Sequence, residues 1–527
     1  MPGQNQPVLP TLRGGVLAAL LGLGALGTAL ALVHSALFDL DRHSVPKELA
    51  LHLTALLGLL VLLPRWRRVE AGIVEVLLAG WLGWSALAAL FASNHWLAVR
   101  SWGVSFAGLV VYLMARTAAR EGRARMVAAG LALAGVIAAL TGLAQAYGLD
   151  WDLLAGERAP GGTFGNRNFL AHYTVASLPL VALFATGSAS RTVRALALAG
   201  LTLQAGMIVL TRSRAAWLAL GASIAVMALA ATLSRAPAGA RRRRGILVAA
   251  LAIGAGLAVA LPNELAWRSD SPYAESLRGI VNYQEGSGRG RLIQYRNTLR
   301  LVAADPLLGT GPGNWMVKYP TVTTPGDPSY AGADPIPTNP WPSSDWMAFW
   351  AERGLVGVLL LLGAGLAAAV TALRRLGEPD HSDDAIALLG LLTAILVAGM
   401  FDAVLLLAAP SLLLFAGTGA LLARTGPVLS RPLSGSRRAQ AIGVTLLTAA
   451  LLTLQAAGAV GAIVISAESR RRDILEQALR YDPGNHRLHL ILAMRGSCRQ
   501  RLPHARTAVR LLPHHPFARR ALEACGG

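Results

Sequence analysis

Arginines beside glycine-rich turns are the residues of this chain whose types and spacing best fit a chemical role. Arg212 and Arg214 are separated by one serine, and Arg158 precedes a run rich in glycine and asparagine at 161–168. Two further arginines alternate with glycine within 286–291. A guanidinium can bind two phosphate oxygens at once, and glycine turns can direct backbone N–H groups at an anion. The pattern predicts a binding site for a phosphate or pyrophosphate group.

Other residue types narrow the chemistry further. The chain has two cysteines, Cys498 and Cys525, which is too few for a cysteine metal cluster but enough for one disulfide if this segment lies outside the cytoplasm. The glycine run at 309–313 lacks the Gly-Lys-Ser/Thr that completes a nucleotide loop, so we do not expect an ATP site. Asp402 and Glu75 fall in apolar stretches, where a charge needs a partner or a cavity.

Long apolar runs separate the segments that carry these side chains. Hydrophobic residues make up 54% of the 527 residues and charged residues 14%, and the apolar runs have about the length, ~20 residues, of a helix that crosses a bilayer. The sequence therefore predicts an all-α, polytopic integral membrane protein with about twelve or thirteen transmembrane helices. The candidate spans are 14–38, 47–63, 71–91, 101–115, 126–147, 169–185, 193–210, 215–233, 246–261, 346–373, 385–408, 410–423 and 441–465.

The distribution of basic residues predicts the orientation of these spans. Alternate short loops are rich in arginine, as at 116–125 and 235–244. This pattern places them and the N-terminus on the cytoplasmic side of a bacterial inner membrane. The net charge of +20 is then explained by arginines that set topology and meet anionic lipids, and we expect no nucleic-acid partner. The loops expected on the periplasmic face are 92–100, 148–168, 211–214 and 261–345, together with the C-terminal tail.

The chain is predicted to consist of four parts. These are an N-terminal transmembrane bundle at 1–261, a long extracytoplasmic loop at 262–345, a second bundle at 346–465 and a helical tail at 466–527. A loop as long as the second part is usually functional. Within the tail, residues 478–483 recur in altered form at 508–513, which resembles a degenerate pair of tetratricopeptide repeats. The tail is a candidate surface for a protein partner.

Several of these segments resemble one family. Residues 162–171 are similar to the GTFGNPNFLA segment of the O-antigen ligase and polymerase superfamily, and residues 211–215 are similar to its T-x-S-R-G/A element. Gly288-x-x-Arg291 and the glycine-rich segment 305–313 follow in the order found in that family.

The resemblance continues towards the C-terminus and covers the chain from about residue 40 to its end. Residues 351–357 look like the E-x-G-L-x-G helix start of the family, and the segment 46–48 and the tetratricopeptide-like tail recur in one branch of it.

Membership of this family implies a GT-C-like membrane glycosyltransferase. Such an enzyme takes a glycan from undecaprenyl pyrophosphate on the periplasmic face and passes it to an acceptor, without a cofactor or a metal. The acceptor is a lipid A-core sugar for ligases of lipopolysaccharide, the growing glycan for polymerases, or a protein hydroxyl. By position, Arg214 and Arg291 would hold the pyrophosphate, which fits the need of a departing anion for preorganised cations.

One departure from the family pattern concerns the proton acceptor. The family has a histidine where this chain has Ser343, and an unassisted serine is a poor base. Asp345 is the nearest replacement, and His95 or His172 could also reach the outer face. The alternative is a catalytically degenerate relative that binds lipid-linked glycan or acts as a scaffold subunit of a surface polysaccharide assembly complex.

The predicted site follows from the arginine pattern and the resemblance. The catalytic candidates are Asp345 and Ser343; the pyrophosphate-binding candidates are Arg214, Arg291, Arg212, Arg289, Arg158 and Lys47; and the supporting candidates are Asn166, Asn168, Glu352 and Asp402.

Overall fold

The computed structural model describes residues 11–149, 151–234, 240–267, 269–282, 286–330, 339–422 and 427–526, and this part of the chain is mostly helical. Its helices are α1 Leu12–Leu30, α2 Asp39–Leu62, α3 Ile73–Leu90, α4 His95–Arg120, α5 Ala124–Ala146, α6 Arg167–Gly187, α7 Arg191–Thr211, α8 Arg214–Leu233, α9 Ala240–Ala260, α10 Pro272–Val281, α11 Gly286–Ala304, α12 Trp315–Lys318, α13 Asp345–Arg375, α14 Ser382–Ala398, α15 Ala408–Leu421, α16 Gly435–Glu468, α17 Arg472–Tyr481, α18 His486–Ala493, α19 Cys498–Leu511 and α20 Pro516–Glu523. Two short strands, β1 Arg68–Ala71 and β2 Leu429–Pro432, pair in antiparallel orientation.

The long helices confirm the prediction of an all-α polytopic membrane protein. In the described part of the chain, eleven helices are long and apolar enough to cross a membrane. Many of their leucines are exposed, as expected for side chains that face lipid. Between helices the contacts use small residues: a Cβ on Gly130 would lie 2.7 Å from the Cα of Gly22, so α1 and α5 pack backbone against backbone.

Two further helices complete the bundle, and the first of them is shorter than predicted. α14 has 17 residues and α15 has 14, and an irregular turn at 399–407 separates them. The predicted span 385–408 is therefore wrong at its C-terminal end. Polar contacts to this turn, described below, replace the helical hydrogen bonds that its backbone lacks. With α14 and α15, thirteen described helices run between the two faces of the bundle.

The first two spans also differ from the prediction. α1 ends at Leu30, and α2 begins at Asp39, ahead of the predicted starting residue 47. The first turns of α2 carry Arg42, His43 and Lys47, all of which are buried against other parts of the protein. Hydrophobicity placed this segment outside the bilayer, but a helix can begin among charged residues when protein groups solvate them.

Polar contacts between helix ends define one face of the bundle. Arg116 donates to the carbonyl of Leu422 at 2.6 Å, and Arg125 pairs with Asp384 at 2.9 Å. We call this the arginine face; it contains the N-terminal ends of α1, α3, α5, α7, α9, α14 and α16 and the C-terminal ends of α2, α4, α6, α8, α13 and α15. The hairpin-like pair of β1 and β2 lies here as well.

The opposite helix ends and the connections between them form the second face, which we call the loop face. It contains the described residues of 31–38, 91–94, 147–166, 212–213, 261–344 and 399–407. These include all four of the loops that were predicted to share one side. The arginines proposed for pyrophosphate binding from 211–214 and from the long loop therefore lie on the same face.

The tail folds back onto the loop face. Arg487 of α18 pairs with Asp41 of α2 at 2.7 Å, and the indole of Trp96 donates to Asp482 at 2.8 Å. The side chain of Asn94 donates to the carbonyl of Leu511 at 3.1 Å. The two recurring segments, 478–483 and 508–513, occupy the C-terminal ends of α17 and α19. A disulfide joins Cys498 and Cys525 at the two ends of the second helix pair.

Candidate functional site

Asp345 fixes the turn between α14 and α15. It is fully buried at the start of α13, where its carboxylate accepts hydrogen bonds from the N–H groups of Val404 at 2.9 Å, Leu405 at 2.8 Å and Leu406 at 3.4 Å. Its own N–H donates to the carbonyl of Gly399 at 2.8 Å. Both carboxylate oxygens are therefore occupied by backbone donors. The geometry gives the side chain a positioning role for the turn, and its predicted role as a base requires displacing these bonds.

Ser343 is held by its backbone. Its N–H donates to the side chain of Gln294 at 2.6 Å, and its carbonyl accepts from the hydroxyl of Tyr295 at 2.6 Å. The same Tyr295 hydroxyl donates to the carbonyl of Met400 at 2.9 Å. Helix α11 is thus fastened both to the segment before α13 and to the turn at 399–407. Arg291 lies one helical turn before Tyr295, on the same side of α11.

Three ionisable residues are coupled through their charges, and we call them the Arg291 cluster: Arg291, His172 and Asp402. His172, in the first turns of α6, is 1% exposed, and among the described residues neither of its ring nitrogens has a hydrogen-bond partner. The charges of Asp402 and Arg291 both act on this ring. Asp402 is half-buried in the turn at 399–407, where one carboxylate oxygen accepts the N–H of Ala403 at 2.9 Å.

This cluster changes two expectations. Asp402 lies in an irregular turn on the loop face and not within a membrane-spanning helix. His172 was weighed as a candidate with His95, which is exposed and contacts the carbonyl of Leu90 at 3.2 Å. The charges of Asp402 and Arg291 act on His172, which is buried, whereas His95 is exposed.

A second group of side chains, the Trp267 cluster, consists of Arg158, Arg167, Arg212 and Trp267. The guanidinium of Arg212 lies 4.7 Å from the centre of the Trp267 ring, and that of Arg167 lies 5.4 Å from it. The charges of Arg212 and Arg158 both act on Arg167. Like charges at such short range repel each other, so an anion that binds among them is stabilised. The aromatic ring holds two of the cations through its face.

Arg167 was not predicted as a binding residue. It begins α6 directly after the glycine- and asparagine-rich run, and this position next to a predicted anion site was the available signal. Arg212 has a left-handed backbone conformation with φ of 53°. Its side chain donates to Ser276 at 2.9 Å and lies 3.7 Å from the carboxylate of Glu275, both on α10.

The remaining predicted arginines differ in their surroundings. Arg214 is half-buried at the N-terminal end of α8 and donates to the carbonyl of Gly279 on α10. Arg212 and Arg214 therefore both fasten α10 to the bundle. Arg289 is exposed near the start of α11, and Arg158 is exposed in the loop before α6. The charges of Arg212 and Arg158 both act on Arg167, and those of Arg291 and Asp402 both act on His172.

Lys47 supports the loop that precedes α6. Its ammonium donates to the carbonyls of Ala29 at 3.2 Å and Ala31 at 2.9 Å, which cap the end of α1, and it lies 4.7 Å from the centre of the Phe164 ring. The hydroxyl of Thr163 also donates to the carbonyl of Ala29, at 2.7 Å. The structure thus places Lys47 beneath this loop, where it fixes the position of the arginines on either side.

The two predicted asparagines begin helix α6. The side-chain oxygen of Asn166 accepts the N–H of Asn168 at 3.0 Å and forms the N-terminal cap. Gly165 immediately before it has φ of 65°, a conformation that favours glycine, and a Cβ there would lie 2.2 Å from the His43 ring. The glycine- and asparagine-rich run around Asn166 is therefore explained by a tight turn that directs Arg167 towards Trp267.

Glu352 holds the glycine-rich turn of the long loop. It is buried in α13, where its carboxylate accepts the N–H of Trp315 at 3.3 Å and lies 3.3 Å from the guanidinium of Arg353. Gly354 breaks the helical conformation with φ of 63°, and a Cβ at this position would lie 1.9 Å from the carbonyl oxygen of Leu307. The Glu-x-Gly pattern is thus needed for the close approach of the loop to α13.

Comparison with known proteins gives one match. Residues 197–362 match the family model described as O-antigen ligase. The matched segment includes Arg212, Arg214, Arg291, Ser343 and Asp345, and it leaves out α6, the turn at 399–407 and the tail. A search of curated proteins finds no match to the chain. Over residues 197–362, the chain is therefore similar to the O-antigen ligase family.

Proposed function

We propose that this protein is a membrane glycosyltransferase of the O-antigen ligase or polysaccharide polymerase type, acting on a glycan linked to undecaprenyl pyrophosphate. The observation that carries the proposal is the gathering of arginines on one face of a membrane bundle, at the ends of α6 and α8 and on α11. Helix ends lie at the depth of lipid headgroups, which is where the pyrophosphate of a lipid-linked sugar is located.

The arginines would act on the leaving group. When the bond between the sugar and the pyrophosphate breaks, negative charge accumulates on the departing oxygen. Preorganised guanidiniums stabilise this charge without further rearrangement. Arg291 and the Trp267 cluster supply such groups, and the tether of Arg212 to Ser276 at 2.9 Å limits their movement.

An apolar cavity suits the lipid part of this substrate. It has a volume of about 560 Å³ and lies between α3, α13, α14 and α15. Trp346 and Leu405 line one end, next to Asp345 and the turn at 399–407, and leucines of α13 line its length. A prenyl chain in this cavity would place its pyrophosphate on the loop face.

We further propose that the loop face is extracytoplasmic. The arginine face carries many more basic residues in short connections, as expected of the cytoplasmic side. The disulfide between Cys498 and Cys525 in the tail also supports this orientation, because disulfides persist outside the reducing cytoplasm. The acceptor, whether glycan, lipid A-core or protein, would then approach from the periplasm.

Thiol labelling tests the orientation. Both native cysteines are paired, so one introduced cysteine provides the free thiol. Glu157→Cys on the loop face is expected to react with a membrane-impermeant maleimide in intact cells whose outer membrane has been permeabilised. The matched variant Asp380→Cys, exposed on the arginine face, is expected to react only after the cells are lysed. The reverse pattern would contradict the proposed orientation.

Replacement of Trp267 by alanine tests the cation-binding role of its cluster. We expect the apparent KM for the lipid-linked donor to rise about 10-fold, because loss of two cation–π contacts frees Arg167 and Arg212. Steady-state kinetics of the purified protein would measure this change. Trp151→Ala, an exposed tryptophan on the loop face, is the matched control and is expected to leave KM unchanged.

The glycan phenotype of a deletion strain tests the function itself. Loss of the protein is expected to leave unattached lipid-linked polymer if it is a ligase, and single-repeat products if it is a polymerase. An unchanged glycan pattern on the gel, together with no transfer by the purified protein in reconstituted membranes, would refute the proposed activity.

A second candidate function is a non-catalytic subunit that binds lipid-linked glycan. It is favoured by Ser343 at the position of the family histidine and by the full engagement of the Asp345 carboxylate. This candidate predicts that the purified protein binds the lipid-linked donor without consuming it when an acceptor is present.

A further inference from the structure

Transfer of a glycan to a hydroxyl releases a proton, and the obvious acceptors for it are poorly arranged. Ser343 stands in the family position, but its hydroxyl is not a base near neutral pH. Asp345 is buried and receives three backbone N–H groups on its two oxygens. A proton taken up by this carboxylate would weaken the hydrogen bonds that hold the turn.

Asp402 differs from Asp345 in each of these respects. It is half-buried, and one of its oxygens accepts the neighbouring N–H of Ala403 at 2.9 Å. Its backbone carbonyl accepts the N–H of Asp345 at 3.2 Å, so the buried carboxylate of Asp345 and this hydrogen bond together fix the turn. Asp402 is thus an accessible carboxylate on a rigid support.

His172 is buried in α6, where the charge of the Asp402 carboxylate acts on its ring. Burial of an imidazole with no hydrogen-bond partner is destabilising, so we expect this ring to gain a partner in the working state. The two charges that act on the ring belong to Asp402 and Arg291. A neutral imidazole offers one N–H donor, and a carboxylate beside it is the natural acceptor.

We propose that Asp402 is the catalytic residue that accepts the proton of the acceptor hydroxyl, and that His172 is a positioning residue that orients its carboxylate. This inference rests on the proposed glycosyl transfer and assigns the proton acceptor that the family position lacks.

The proposed step is balanced in atoms and charge. The acceptor oxygen forms a bond to the anomeric carbon of the donor sugar, and the bond from that carbon to the pyrophosphate oxygen breaks. The electron pair of the broken bond leaves with the prenyl pyrophosphate, beside Arg291. The proton of the hydroxyl passes to Asp402, and solvent on the loop face then removes it.

Azide separates proton removal from all other parts of the reaction, because it attacks the anomeric carbon without losing a proton. Purified full-length protein would be given a lipid-linked donor and either a hydroxyl acceptor or azide. Asp402→Asn is expected to lower transfer to the hydroxyl at least ~100-fold and to leave transfer to azide within about 3-fold of wild type. Asp305→Asn, an exposed acid on the same face, is the matched control and should transfer to both at wild-type rates.

His172→Gln provides an independent readout. We expect about 10-fold slower transfer to the hydroxyl and an unchanged rate with azide. If His172 had only a structural role, its replacement would slow transfer to both nucleophiles equally. Thermal denaturation would then show a lower melting temperature.

The outcomes are distinct. Undiminished hydroxyl transfer by Asp402→Asn, or an equal loss with both nucleophiles, overturns the assignment while the proposed function stands. If wild-type protein transfers glycan to neither nucleophile, the proposed function fails and the assignment fails with it.

Discussion

Replacement of Arg291 by alanine is expected to lower the rate of glycan transfer at least ~100-fold, because one preorganised group that stabilises developing negative charge contributes a factor of this size. Arg291 is half-buried, its charge acts on His172, and the Tyr295 hydroxyl holds this part of α11 against the residues before α13. The position therefore combines a guanidinium on an anchored part of α11 with a site at the expected depth of the pyrophosphate.

The loss should appear mainly in kcat, since the charge on the leaving group develops in the transition state. Single-turnover kinetics with a lipid-linked donor would measure it, with hydroxyl and azide acceptors affected alike. Arg296→Ala is the matched control, because Arg296 is exposed on the same helix. Equal losses in the two variants would show that the effect is one of α11 as a whole and would contradict the specific role of Arg291.

Substitution of Asp345 by asparagine is expected to destabilise the protein by about 2–4 kcal/mol. One oxygen of the carboxylate accepts from Val404 and Leu406, and the other accepts from Leu405. An amide offers one acceptor oxygen, so its NH2 group would face a backbone N–H. Thermal unfolding of the purified protein in detergent would measure the loss of stability.

Ser343→Ala is the control for this experiment. The contacts of Ser343 with Gln294 and Tyr295 are made by its backbone. The stability of the Ser343→Ala protein should therefore be close to that of wild type. If Asp345→Asn kept full stability and lost transfer to a hydroxyl but not to azide, Asp345 would be the proton acceptor and our assignment to Asp402 would be wrong.

The functional motifs in the sequence turned out to have two different physical roles. Glu352 and the glycines at 309, 311 and 354 hold the long loop against α13, and Lys47 supports the loop before α6. Such residues were predictable as a pattern, but whether they bind substrate or shape the backbone depends on their partners. Those partners lie in distant segments of the chain.

The sequence by itself determined the class of the protein and the positions of its long helices. A helix in lipid satisfies its backbone hydrogen bonds internally, so an apolar run of sufficient length is enough to predict it. Arginine spacing likewise indicated the chemistry of an anion site, because a guanidinium has the same preference for phosphate wherever it is located.

Tertiary structure alone decided which side chains meet. The contact of Arg212 and Arg167 with Trp267 joins three loops, and the grouping of His172, Arg291 and Asp402 joins α6, α11 and the turn after α14. It also decided that Asp345 fixes a turn and that α14 ends at Ala398. The reason is physical: pairing between distant segments depends on how the helices pack, and no local pattern of residues records that packing.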